Sequence, residues 1–140
     1  MVVKYLKYDK VVKELLREVY IQKSKKGVNS FRRSTMDYIF VIVTAASEEE
    51  GEKIGTSLVK EELAACCNII PNVKSVFQWK GEVSTEKEVI LFIKSKASLF
   101  NRLRDRIKEL HSYEVPEIIA FPISQGLPDY FRWMDDVIKA

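Results

Sequence analysis

Three features of the sequence predict an α+β fold, a ferredoxin-like split βαβ sandwich. Tyr38 to Ala46 is an apolar run rich in β-branched and aromatic residues, long enough for a central strand. Cys67 to Lys96 alternates polar and apolar residues on either side of Lys80-Gly81, the pattern of a long hairpin. Amphipathic helical stripes stand before and after that hairpin. From residue 37 the order is β-α-β-β-α-β plus a terminal helix, which an antiparallel sheet with both helices on one face accommodates.

In chain order, a basic extension comes first. Residues 1–35 carry 10 Lys/Arg against 3 Asp/Glu and residues 36–140 carry 13 against 17, so the net charge of +3 conceals a mildly acidic domain. Tyr8, Val11, Val12, Leu15, Leu16 and Val19 share one helix face behind an Asp9 N-cap, predicting a helix over about 9–22. Ser24 to Thr35 then reads as a basic linker. The functional reading of this extension is a contact with nucleic acid or an anionic membrane. The plainer and favoured reading is a helix packed on the domain or a neighbour, followed by a solvated tether. The domain is set at 36–140, and Met36 is an alternative start of translation.

Ser47 and Glu50 form a capping box, and Gly51, Ile54, Gly55 and Leu58 make the inner face of the helix that ends near Ala64-Ala65. In the hairpin, Ile69, Val73, Phe77 and Trp79 fall on one face of the first arm and Val89, Leu91 and Ile93 on one face of the second. Val89 to Ile93 is apolar throughout, predicting burial on both sides. A two-residue turn sets Lys74 opposite Lys87 and leaves Pro71 without a ladder donor. A bulge between Pro71 and Val76 would relieve both. The 11 residues from Ile69 to Trp79 span roughly 36 Å, whereas a 100-residue globule has a radius of gyration of about 13 Å. The tip therefore projects, and its aromatics and strand edges predict an oligomer. Ser98 is placed to cap the next helix, with Phe100, Leu103, Ile107 and Leu110 inward and His111 closing it. Ile118 to Ser124 follows as a strand whose Pro122 suits an edge. A last helix begins at Gly126-Leu127-Pro128-Asp129, and its apolar surface is wider than one stripe.

The motifs of phosphate loops, nucleophile elbows and zinc proteases are missing, and one histidine makes no triad, so the chain is read as not an enzyme. Glu88 to Lys94 lacks the glycine-aromatic pattern of RNA-binding sheets, and no apolar stretch reaches membrane-span length. Two adjacent cysteines in an unstapled chain point to a reducing compartment, the cytoplasm by default. His111, beside Tyr113, Glu114 and Glu117, is either a helix cap or an imidazole for metal or proton chemistry. Cys66 and Cys67 point to opposite faces of a strand and cannot grip one ion together; one thiol with an imidazole suits copper. Ordinary buried cysteines are the plainer alternative.

Leu63-Ala64-Ala65-Cys66, Trp79-Lys80-Gly81-Glu82, Phe92-Ile93-Lys94, His111-Ser112-Tyr113-Glu114-Val115-Pro116-Glu117 and Asp129-Tyr130-Phe131-Arg132-Trp133 occur in order. With these, Tyr38 to Ile138 closely resembles the CutA family of divalent-cation tolerance proteins. The resemblance implies a ferredoxin-like homotrimer whose long hairpins join sheets across subunits. It also implies an association with copper and other divalent metal ions. Carried over residue by residue, it points to Trp79, Lys94, His111, Tyr113 and Glu114 as ligand-binding residues, and to Cys66 and His111 as metal ligands. Ser112 replaces a proline of the family's pattern, which loosens the backbone after His111. The expected partners are sister copies and a metal ion or small anion. The alternatives are a trimer similar to the PII-like signalling proteins, binding a small anionic effector, and a purely structural trimer.

Overall fold

The computed structural model describes residues 37–138, and the readings on residues 1–35 and Met36 lie outside the described residues. Strands β1 (Tyr38–Ala45), β2 (Cys66–Trp79), β3 (Glu82–Lys96) and β4 (Ile118–Pro122) form one antiparallel sheet in the order β2-β3-β1-β4. Helices α1 (Glu48–Lys60) and α2 (Phe100–Leu110) are the crossovers, and α3 (Pro128–Val137) follows β4. This is the α+β sandwich that the element order predicts.

Alternation places the core. Val41 and Val43 of β1 and Leu91 and Ile93 of β3 are fully buried with Ile54 and Leu58 of α1 and Leu103 and Ile107 of α2. The other sheet face carries Phe40, Ile42, Ile70, Ile90, Phe92, Ile119 and Phe121 by the same register. Phe40 and Phe92 touch there, ring centres 5.0 Å apart, while Ile70, Ile119 and Phe121 are exposed. Ile90 and Phe92 are only half-buried, so burial on both sides of β3 is not complete within one chain. Met134 and Ile138 close a second core with Tyr38, Ala65 and Leu99, and Phe131 stacks on Tyr38 at 4.3 Å.

Several boundaries differ from the sequence reading. Helix α1 stops at Lys60 rather than near Ala64, because Glu62 takes a left-handed φ of 57° and Leu63 N–H turns back to Leu58 O at 2.9 Å. Ser98 does not cap α2; a 3-10 turn over Ala97–Leu99 leads into the helix, and Leu99 is its N-cap without a side-chain bond. Strand β4 ends at Pro122, opposite Ile39 on the sheet's edge, two residues short of the expected Ser124.

The hairpin turns at Lys80-Gly81, with φ of 50° and 85°, so that Trp79 faces Glu82. The bulge lies between Ile70 and Val73, where Pro71 and Asn72 together oppose Val89 and Asn72 has φ of 60°. It removes Pro71 from the ladder as expected. It does not relieve the lysine pair, because Lys74 still faces Lys87 on the turn side of the irregularity. Both lysines are solvated, so water and salt weaken their repulsion. The extra residue also flips the faces. Ile69 packs on the core beneath Gly51, whereas Val73, Phe77 and Trp79 register with Glu88, Ser84 and Glu82 on the opposite, open face. The single apolar face expected for the first arm is therefore split in two.

Candidate functional site

The site is built where α2 ends. His111 closes the last turn of the helix by donating its N–H to Ile107 O at 2.9 Å, then leaves in extended backbone. Its ring is buried. Tyr113 N–H donates to Nδ1 at 3.0 Å, so the proton resides on Nε2, which donates to Thr44 O at 2.7 Å. Both ring nitrogens of this neutral imidazole are engaged in holding the 111–113 segment to the end of β1. The ring does not cap the carbonyls of its own helix, the structural role that sequence reasoning set beside the functional one; it ties the 111–113 segment to β1 instead.

Glu50 was foreseen only as a capping residue. Ser47 Oγ accepts from Glu50 N–H at 3.1 Å, but the return bond goes one residue earlier than a capping box predicts, from Ala46 N–H to Glu50 Oε2 at 2.9 Å. Its other oxygen accepts from Ser112 N–H at 2.6 Å and lies 3.7 Å from His111 Nδ1. Burial works to raise this carboxyl, yet the bonds from Ala46 and Ser112 hold it below the ordinary glutamate range.

Glu88 is the residue that sequence reasoning missed. It lies on β3 opposite Val73, only 7% exposed, and accepts from Tyr113 Oη at 2.9 Å. The available signal was its alternation, since it shares β3's open face with Ile90 and Phe92. Burial, then the bond to Glu88 and the charges of Glu88, Glu50 and Glu86, push the Tyr113 phenol up to about 12. Burial and Glu88 likewise raise Glu117. Tyr113 is therefore a neutral donor, held among carboxylates. Glu114 is exposed beside it.

A second cluster lies further along the sheet. Cys66 faces Lys94 across the ladder; Lys94 Nζ bonds Asn68 Oδ1 and lies 3.4 Å from Phe92 O. Cys66 Sγ is 3.8 Å from Asn68 Oδ1, and burial together with a bond to Cys66 raises the Tyr130 phenol. Cys67 points the other way, against Gly55 of α1. Burial and the neighbouring Cys66, partly offset by Lys94, push its thiol up to about 11, so it remains a packed thiol at neutral pH. The two cysteines sit on opposite faces, as their adjacency predicts.

One chain does not gather all the expected site residues. Along β3, Lys94 stands six residues from Glu88 on one side and Glu82, opposite Trp79, six on the other, about 20 Å each way. Cys66 and His111 are separated too, because Thr44, which holds His111, faces Ile90, four residues from Lys94, about 13 Å. Among the described residues no three His, Cys, Asp or Glu side chains converge to hold a metal ion. None of their helices is long and apolar enough to cross a membrane.

The fold and these clusters define a class: a small ferredoxin-like α+β domain with an overlong bulged hairpin, an open apolar sheet face and an acid-lined loop after its second crossover helix. The particular family follows from comparison with known proteins. Residues 39–137 match the family described as CutA1 divalent ion tolerance protein, and the chain belongs to that family. It is 44% identical over 94 residues to the divalent-cation tolerance protein CutA of Thermus thermophilus, covering 67% of this chain and 91% of that protein. The chloroplastic CutA protein of Arabidopsis thaliana is 42% identical over 71% of this chain, which spans 55% of that longer relative. Among solved structures, CutA1 from Oryza sativa superposes with a TM-score of 0.71 at 40% identity, over 74% of this chain and 95% of that one. The CutA of Archaeoglobus fulgidus, described as periplasmic, gives 0.70 at 39% identity, over 72% and 98%.

Proposed function

We propose that the chain is a non-catalytic divalent-ion tolerance protein of the cytoplasm, a homotrimer that binds a divalent metal ion, copper foremost, at clefts between its subunits. The observation that carries this reading is the split between the two clusters. Trp79, Lys94 and the His111–Tyr113–Glu114 segment lie too far apart in one chain to touch one ligand, while the open face and the projecting ribbon offer the surface by which copies would bring them together. Membership of a family named for divalent-cation tolerance supports the ion class.

The donor chemistry fits copper in part. Cys66 is a free, half-exposed thiol and suits a soft ion. His111 joins it only by giving up the bond from Tyr113 N–H or its own bond to Thr44 O. Titration calorimetry of the reduced protein with Cu(II), Zn(II) and Mg(II) tests the reading. The expected result is tight Cu(II) binding that Cys66→Ser weakens at least tenfold; unchanged binding in a Cys66→Ser, His111→Ala protein removes both residues from the site.

One observation favours a second reading, a signalling trimer with a small anionic effector. The Lys94 ammonium is held by neutral oxygens, those of Asn68 and Phe92, which leaves its charge free to attract an anion. Thermal stabilisation by anionic metabolites without metal, lost in Lys94→Met, would select this reading over the first.

A further inference from the structure

Ser112 has an N–H where a proline would have none, and Glu50 grips that N–H as well as meeting the serine side chain. The two oxygens of Glu50 serve two distant segments, Ala46 at the exit of β1 and Ser112 just beyond α2. His111 contacts the same exit, through Nε2 to Thr44 O. The 111–113 segment is therefore tied to residues 44–46 by two routes, one through the imidazole and one through the Glu50 carboxylate.

We propose that Glu50 is the positioning residue of the His111–Tyr113 segment, supplying through Ser112 N–H the restraint that a proline at 112 would supply covalently. Its relevance to ligands rests on the reading of this segment as part of the binding cleft. A serine leaves its predecessor's ψ free where a proline would restrict it, and the Glu50 bond to Ser112 N–H holds that peptide plane. The bond fixes the peptide immediately before Tyr113 N–H, the donor that sets the His111 tautomer. It thereby fixes where the Tyr113 side chain starts toward Glu88. The backbone would accept the exchange, because His111 has φ −82° and ψ 140°, the extended conformation a residue adopts before proline.

The test compares four full-length proteins without ligand: wild type, Glu50→Gln, Ser112→Pro and the double variant. Amide hydrogen exchange at Tyr113 and the ring nitrogen shifts of His111 are the readouts. In the serine background Glu50→Gln is expected to speed Tyr113 exchange roughly tenfold or more and to mix the His111 tautomers, because an ionic hydrogen bond is lost. In the proline background the same change should alter exchange less than about twofold, since the segment is already restrained. Equal acceleration in both backgrounds, as loss of an α1 cap alone would give, overturns the proposal, and so does no acceleration in either. If Glu50→Gln fails to fold, Glu50→Asp, one methylene shorter, is read by the same criteria. Failure of the wild type to bind Cu(II) would overturn the ligand reading and leave the positioning role to be decided by these exchange rates.

Discussion

At the scale of single residues, the best-buried carboxylate of the domain depends on one phenol. Tyr113→Phe keeps the ring and deletes the donor to Glu88, leaving that carboxylate with less than its full set of partners. The expected loss is about 1–3 kcal/mol in urea unfolding at neutral pH. Glu117 supplies a pH test. Burial and Glu88 raise its carboxyl in the folded state, so folding favours its protonated form. Its contribution is fully present below the unfolded value and is lost as pH rises through the folded one. Glu117→Gln should therefore raise the melting temperature at pH 7 and give no gain near pH 4. The side chain is partly solvated, so the gain stays well under about 1 kcal/mol. Glu50 has the opposite sign. Its bonds to Ala46 and Ser112 overcome burial and lower its carboxyl, so that stability is present above the unfolded value and drains away as pH falls through the folded one. His111, by contrast, has the environment of a structural histidine, with both nitrogens committed to backbone groups. Sequence could supply both readings of that residue but not decide between them, because its acceptor, Thr44 O, is 67 residues away in the chain.

At the scale of elements, α1 lies against the sheet because two of its residues have no side chain. A Cβ at Gly55 would come within 2.9 Å of Cys67 Sγ, and one at Gly51 within 2.9 Å of Leu91 Cδ2. Gly55→Ala gains helix propensity of about 1 kcal/mol but overpacks a site that costs about 1–3 kcal/mol. Thermal unfolding should show a net loss, partly recovered when Cys67→Ala is added, because the Cβ at 67 stays 3.1 Å from the new methyl. The lysine pair on the hairpin gives a gain instead. Lys74→Glu opposite Lys87 should stabilise by about 0.2–1 kcal/mol at low salt and by less in 1 M NaCl. The elements were legible because their signals are local: the Tyr38 to Ala46 run, the Lys80-Gly81 turn and the stripes of α1 and α2. What was not legible is how one irregularity redistributes side chains. A period-2 reading puts Ile69 with Phe77 and Trp79, and the extra residue at Pro71-Asn72 reverses that assignment. The position of a bulge is set by cross-strand pairing, which the first arm alone does not encode. The failed Ser98 cap has a similar cause. Leu99 had to reach the second core, and a 3-10 turn delivered it.

At the scale of the whole molecule, the described residues cover one face of the sheet well and the other poorly. Phe121 and Ile119 are about half exposed on that second face, and at the ribbon's far end Val83 and Val76, which by register lie on the helix-side face, are 75% and 65% exposed. Solvated apolar area of this extent on a strand-rich surface is a liability unless sister copies occupy it. The same association is what would unite Trp79, Lys94 and the His111 loop into one cleft, so ligand binding and assembly are expected to fail together. Phe92→Asp, placed at the middle of the open face, should release subunits and abolish Cu(II) binding while leaving the helix-side core intact. The most direct measurement is sedimentation equilibrium of the full chain at micromolar concentration. One species of three times the chain mass is expected, reduced to one chain mass by Phe92→Asp; a wild-type protein that sediments as a single subunit would overturn the trimer.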